Sequence, residues 1–284
     1  MKKVFKKGIS LFIALLMLTS GISVFASDTA TANSSPRIFI IGDSTACSYE
    51  EWDGSLRTGW GEALQNFLTD PKMIVNAASS GASARSFYDR EFNWNPVKAR
   101  LNKGDYLLIQ FGINDSSNEN SRYSDPAKKV EEHDPENEIY SFKWYLAQYI
   151  DYAFDIGANP VLVTSVENRL DCDKKPHYDN YDKKDDKKDN EKDSDLYEYV
   201  MAIKELAKAY ADEGKEVPVI DVWSRVRSAI KAMEAEQENS SAMWYVDSVD
   251  GEGENDNTHL VEKGAMEVFD GESWHSVQLP AEWQ

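Results

Sequence analysis

Positive charge is what this sequence most lacks. Against 50 aspartates and glutamates stand 31 lysines and arginines, a formal net charge of -19. A chain so acidic is poorly suited to nucleic acid or to anionic membranes, and neither is expected as a partner. Internal repeats are absent, which excludes solenoids and propellers. Cysteine is scarce. Cys47 and Cys172 lack the spacing of a structural metal site, and no metal or other cofactor is expected. The two permit one disulfide if the chain is exported, but Cys47 reads equally well as a small buried hydrophobe. No long apolar run occurs beyond the first residues, and the one there is short for a membrane span.

That run has its own logic. Lys2, Lys3, Lys6 and Lys7 precede the apolar stretch Ile9 to Leu18, and Val24-Phe25-Ala26 offers small residues before Ser27. This order is that of a secretory signal peptide, so residues 1–26 are expected to be removed and the protein to be extracellular, with no membrane association afterwards. Their loss takes away four lysines and no acids, moving the formal charge from -19 to -23. Residues 27–36, rich in Ser, Thr and Ala, read as a flexible lead-in. Residues 37–284, 41% hydrophobic across the whole chain, suffice for one well-filled domain, expected to be a monomer.

Within that domain five short apolar runs read as strands: 37–41, 73–76, 106–111, 160–165 and 217–222. Each is rich in Ile, Leu or Val without strict alternation, as strands buried on both faces of a parallel sheet are. Helical spacing fills the gaps at 60–68, 139–156 (with Gly157 as C-cap), 196–210 and 222–233. Strand–helix alternation predicts a three-layer α/β sandwich on a five-stranded parallel sheet. Two segments depart from this pattern. Residues 173–195 hold seven lysines and nine acids and read as a charged surface insertion. The acidic stretch 247–257 lacks the spacing of a calcium loop.

Polar clusters follow the strands. Gly42-Asp43-Ser44-Thr45 follows the first, Asn76 to Gly81 the second, Phe111-Gly112-Ile113-Asn114-Asp115 the third, and Asp256-Asn257-Thr258-His259 comes after the fifth by a long detour. In an open parallel sheet ligands bind beyond the carboxyl ends of the strands, so the four clusters converge on one edge. Acyl transfer needs an exposed hydroxyl, a base held in one tautomer, and donors aimed at the developing oxyanion. Ser44 at a strand-to-helix turn supplies the first. His259, with Asp256 three residues earlier, supplies the second. Backbone N–H groups of Ser44 and Gly81 with the Asn114 amide supply the third. Of the four histidines only His259 and His275 have an acid three residues before them, and His275 sits in a tail with little apolar pattern; His133 and His177 carry no such signal.

These blocks, Ile41-Gly42-Asp43-Ser44-Thr45, the Gly81 loop, Gly112-x-Asn114-Asp115 and Asp256-x-x-His259, resemble those of SGNH (GDSL-type) hydrolases. The stretches GDSTA, TGWGEAL, NAASSGASARSF, KGDYLLIQFGINDSS, IGANPVLVTSVENR and NTHLVEKGA are similar to the rhamnogalacturonan acetylesterase-like branch, over about residues 36–266. The resemblance implies a flavodoxin-like sheet and a Ser44–His259–Asp256 triad. It implies an oxyanion hole from Ser44, Gly81 and Asn114, and cofactor-free removal of acetyl groups from plant cell-wall polysaccharide or oligosaccharide. The sequence departs from the family pattern where Ile113 replaces a common histidine, where Ser79-Ser80-Gly81-Ala82 is poorer in glycine, at Glu167-Asn168-Arg169, and after Ala265, where a closing helix is hard to see.

Asp43, Arg85, Arg169 and Trp94 are the candidate substrate-binding residues. Arg90 is a further source of positive charge for a uronate, and Trp52 and Trp60 are further platforms for sugar stacking, although core packing competes for the tryptophans. The net charge works against a pectin-like polyanion at long range, so acetylated xylan stays open. Two other readings stay open: a lipase or thioesterase, disfavoured by polar surroundings (Ser79, Ser80, Ser83, Asp115, Ser116, Ser117), and a non-catalytic glycan-binding protein with the same fold.

Overall fold

The computed structural model describes residues 35–49, 56–117, 121–169, 194–238, 240–246 and 256–268. The expected signal peptide, most of the expected lead-in, Trp52, Cys172, His177, nearly all of the charged insertion, most of the acidic stretch and the tail with His275 lie outside the described residues.

In chain order the elements are β1 (Ile38–Gly42), α1 (Trp60–Ala63), β2 (Ile74–Asn76), α2 (Ala84–Asp89), α3 (Glu91–Lys98), β3 (Tyr106–Gln110), β4 (His133–Asp134), β5 (Ile139–Tyr140), α4 (Phe142–Ile156), β6 (Asn159–Val163), α5 (Tyr197–Asp212), β7 (Val219–Ile220), α6 (Val222–Glu236) and α7 (Glu262–Val268). Five strands form one parallel sheet in the order β2-β1-β3-β6-β7, and β4 and β5 make a small antiparallel pair. β1 therefore lies between β2 and β3, with Ile40 opposite Asn76 on one side and Leu108 on the other.

β1 shows why the fold has three layers. All five of its residues are buried, and alternate side chains point to opposite faces. Phe39 and Ile41 join Leu107, Ile109 and residues of α2, α3, α4 and α5 in one cluster. Ile38 and Ile40 join Leu108, Val161, Val163 and residues of α1, α6 and α7 in the other. A strand that feeds two apolar layers has no polar face to give water, which is why its sequence does not alternate.

Helix ends follow local chemistry. Ser141 caps α4 by accepting from the Trp144 N–H, and α4 ends at Gly157 in the left-handed region, as expected. The cap corrects the expected start at 139: Ile139 and Tyr140 pair instead with Asp134 and His133. The expected helix at 60–68 is a single α turn continued by a 3-10 turn, Leu64–Phe67. α2 was not apparent in the sequence because its N-terminal signal is a serine pair, Ser83 and Ser86, each side chain bonded to the other's backbone N–H, inside a run of small polar residues. The hard-to-see closing helix exists as α7, where Gly264 lets the helix pack against the Trp244 backbone.

Candidate active site

Ser44 occupies the turn that leaves β1, and that turn is braced from every side. The Asp43 carboxylate accepts the Thr45 N–H at 2.9 Å and the Gln110 amide at 3.0 Å. The Trp60 indole donates to the Gln110 carbonyl oxygen at 3.2 Å, and the Trp60 backbone N–H donates to the Thr45 carbonyl at 2.9 Å. Tyr49 donates its hydroxyl to the Ser44 carbonyl at 2.8 Å, and Asn76 donates to the Ala46 carbonyl at 2.8 Å. A turn so tied leaves its serine little freedom, which is the preorganisation a nucleophile needs.

Three sequence expectations are corrected here. Asp43 does not reach substrate: it is fully buried and spends its oxygens on Thr45 and Gln110. Trp60 and Trp94 do not stack on sugar. Trp60 is buried against the Ser44 turn, and Trp94 packs edge-on against Tyr149 and Tyr152. Ser44 is itself only 6% exposed, so its hydroxyl is less open than a bare strand-to-helix turn suggests.

The loop before α7 brings the other partners. His259 Nε2 lies 2.8 Å from Ser44 Oγ, and His259 Nδ1 lies 2.7 Å from Asp256 Oδ2. An ionised carboxylate has no proton to give, so Nδ1 carries the hydrogen and donates, leaving the Nε2 lone pair toward the serine hydroxyl. The other Asp256 oxygen accepts the backbone N–H of Thr258 at 3.1 Å and of His259 at 2.9 Å, fixing the loop by the aspartate that orients the ring. Burial works against charge on Asp256, but the hydrogen bonds from His259 and Thr258 outweigh it and hold its carboxyl below the usual range.

This loop is gripped from outside. Val246 N–H donates to the His259 carbonyl at 2.9 Å, Arg169 N–H to the Asn257 carbonyl at 2.8 Å, and Thr58 N–H to the Leu260 carbonyl at 2.8 Å. Tyr245, bridged to Leu260, donates its hydroxyl to the Glu167 carbonyl at 2.7 Å. Glu167 is buried and pairs with buried Arg227 at 2.6 Å, and its other oxygen takes Ser194 and the Asn168 N–H. The departure at Glu167-Asn168-Arg169 is thus a structural pillar beneath the histidine loop.

The expected oxyanion donors sit on neighbouring turns. Asn114 donates one amide hydrogen to the Ala82 carbonyl at 2.9 Å, tying itself to the loop of Gly81. The same loop is fastened to the Ser44 turn by Ser79 N–H donating to the Gly42 carbonyl at 2.9 Å. Gly81 has φ of 72°, a conformation that favours glycine. Gly112 has φ of 139°, and a Cβ there would meet Ser165 Oγ at 2.5 Å, so it too requires glycine.

Three residues near the site went unassigned in the sequence reading. Buried Asp115 accepts from the Ala84 N–H at 3.0 Å, the Gly112 N–H at 3.1 Å and Ser124 at 2.7 Å, joining two site turns to a third loop. Arg57 lies 3.4 Å from the Asp256 oxygen that also takes His259. Arg122 lies beside Gly81: a Cβ on that glycine would stand 3.5 Å from its guanidinium. Only the Asp115 position carried a sequence signal, as the acid that follows Asn114.

The predicted cations are partly engaged. Arg85 pairs with Asp89 at 3.4 Å and reaches the Tyr123 carbonyl at 3.5 Å. Arg169 is half-buried, with its backbone on the histidine loop, and Arg90 lies half-buried at the α2–α3 junction. Ile113, in place of the family's common histidine, is buried with Leu196, Val200 and Trp223. Cys47 is buried, which pushes its thiol up to about 12.

Known proteins share this arrangement of chain. The family described as GDSL-like Lipase/Acylhydrolase matches residues 38–271. Rhamnogalacturonan acetylesterase RhgT of Bacillus subtilis (strain 168) is 30% identical over 236 residues, 82% of this chain and 85% of that protein. Probable rhamnogalacturonan acetylesterase YesY of the same strain is 30% identical over 232 residues, 81% of this chain and 88% of that protein. Among solved structures, B. subtilis YxiM matches with a TM-score of 0.57 at 21% identity, covering 83% of this chain and 54% of that one. A protein from Parabacteroides merdae ATCC 43184 matches with a TM-score of 0.51 at 14% identity, covering 85% and 94%. The two structural likenesses bear on the fold alone, and they agree with the parallel five-stranded sheet. With two relatives aligned over most of its length and a family match across the whole catalytic sheet, the chain belongs to the GDSL-like lipase/acylhydrolase family and is a carboxylic ester hydrolase.

Proposed function

We propose that this protein removes O-acetyl groups from plant cell-wall polysaccharide, with acetylated rhamnogalacturonan as the preferred class, by a Ser44–His259–Asp256 acyl-enzyme mechanism. The observation that carries the reading is the continuous relay from Asp256 Oδ2 through both ring nitrogens of His259 to Ser44 Oγ, with steps of 2.7 and 2.8 Å. The substrate class rests on the names of the two relatives that align with most of the chain.

In the first half-reaction Ser44 Oγ attacks the acetyl carbonyl while His259 Nε2 takes the hydroxyl proton. The carbonyl oxygen becomes an oxyanion, met by the N–H groups of Ser44 and Gly81 and by the Asn114 amide. The C–O bond to the sugar breaks, the sugar oxygen takes the proton from His259, and acetyl-Ser44 remains. Water then gives its proton to His259 and attacks the acetyl carbonyl. The Ser44–acetyl bond breaks, Ser44 recovers the proton, and acetate leaves. Asp256 holds the ring and offsets its transient positive charge throughout.

The basic start and short apolar run of residues 1–26, read as a secretory leader, support an extracellular site of action, where such polymers are met. The test measures acetate release from acetylated rhamnogalacturonan and acetylated xylan by wild type, Ser44→Ala and His259→Ala, with fluorophosphonate labelling in parallel. Release from the first polymer, lost in both variants along with Ser44-dependent labelling, is expected. Failure on both polymers overturns the carbohydrate reading, and an unlabelled wild type overturns the catalytic one.

A further inference from the structure

The Asp256 carboxylate has a second neighbour besides His259, and this one is always cationic. Arg57 Nη2 stands 3.4 Å from Asp256 Oδ2, the oxygen that accepts the His259 Nδ1 hydrogen at 2.7 Å. Arg57 precedes α1, so it approaches the triad loop from a different element than those that carry Ser44 and His259. Its backbone neighbour Thr58 donates to the Leu260 carbonyl at 2.8 Å, which keeps the arginine beside the loop.

We propose that Arg57 is a positioning residue for the triad, steadying Asp256 from the α1 side and opposing protonation of His259 by its fixed positive charge. The inference rests on the reading of His259 as general base given above. Two cations that share one carboxylate oxygen repel each other. An always-charged guanidinium therefore makes an imidazolium at this place less favourable than Asp256 alone would. The base is effective only while neutral, so Arg57 extends the active range of the enzyme toward lower pH.

Other groups face His259 and set the background. Asp256 lies on its own loop. Asp43, on the turn after β1, is close enough to interact with the ring charge; burial raises it to about 6 despite its hydrogen bonds from Thr45 and Gln110. Asp115 interacts in turn with Asp43 and is raised to about 7, again by burial. Tyr49 and Cys47, on the nucleophile's side, are kept neutral by burial. Arg169, half-buried, has its backbone on the same loop, and Glu262 and Lys263, at the start of α7, are exposed. These groups are common to wild type and to an Arg57 variant, so a difference between the two isolates the guanidinium.

The Arg57 side chain is 41% exposed, so the effect is moderate and sensitive to salt. The experiment compares kcat/KM against pH for hydrolysis of 4-nitrophenyl acetate by wild type, Arg57→Gln and Arg57→Lys, at ionic strengths of about 0.02 M and about 0.5 M. At low salt the acid limb of Arg57→Gln is expected to move up by a few tenths of a pH unit, with Arg57→Lys close to wild type. At high salt the limbs converge. An Arg57→Gln limb that coincides with wild type at low salt overturns the proposal, even if kcat falls, because a structural brace alone lowers the rate without moving the limb. A wild type with no Ser44-dependent hydrolysis overturns the reading of the site, and this inference falls with it.

Discussion

Ser44 Oγ and His259 Nε2 stand 2.8 Å apart across 215 residues of sequence, and Asp256 turns the ring so that its free lone pair meets the hydroxyl. Groups that act as a unit lose most of their effect when any one is removed. Ser44→Ala and His259→Ala are each expected to lower kcat by about three to six orders of magnitude, with the double variant little worse than either. Asp256→Asn is expected to cost about four orders, since an amide can donate to Nδ1 and so hold the wrong tautomer. Steady-state acetate release checks all three, and additive losses in the double variant contradict the relay.

Asp115 ties three loops together. Its oxygens receive Ala84 N–H, Gly112 N–H and the Ser124 hydroxyl. Asp115→Ala removes both acceptor oxygens at once and leaves the buried Ala84 and Gly112 N–H groups without this partner. Chemical denaturation is expected to show a loss of about 2–4 kcal/mol. The rate should fall as well, because the Gly112 turn carries Asn114. Unchanged stability contradicts the proposed network.

Stability against pH follows from the same buried acids. Burial raises Asp43 to about 6 and Asp115 to about 7, above the ordinary 3.8 that each regains on unfolding. The folded state therefore binds more protons than the unfolded one between those values, and by linkage stability falls as pH rises through that window. The contribution is complete below about 3.8 and lost above about 7. Asp256 runs the other way, but its lowered carboxyl loses stability only in more acid solution. Thermal melts are expected to give a higher Tm at about pH 5 than at about pH 8; a Tm that climbs across this interval counts against the assignment.

The Glu167–Arg227 pair supports the histidine loop at the cost of two buried charges. Glu167→Ala leaves the Arg227 charge buried without its carboxylate, with an expected loss of about 3–5 kcal/mol. Replacing both by Met removes the stranded charge and is expected to recover most of the loss. Urea midpoints for the two variants decide it. Tyr245→Phe, which deletes the hydroxyl donated to the Glu167 carbonyl at 2.7 Å, is expected to lower kcat more than it lowers Tm.

The strands and the site blocks were legible for one reason: each is a local pattern. β1 is a five-residue apolar run ended by Gly42, and Ser44, Asn114 and His259 each stand in a short motif after such a run or before a helix. Helices α2 and α3 were not legible, since α2 rests on a serine capping pair amid small residues and α3 contains Pro96. Trp94 and Trp60 misled because an aromatic side chain reads the same in sequence whether it packs on Tyr149 or on a sugar ring.

By itself the sequence determined which segments become strands and which short polar motifs follow them, because hydrophobic period and motif spacing act over a few residues. Tertiary structure alone decided the partners: that Asp43 braces a turn, that Glu167 finds Arg227 sixty residues away, and that Arg57 meets Asp256. Such pairings depend on which faces the sheet order brings together, and burial and charge act through space, with no trace in the order of neighbours along the chain.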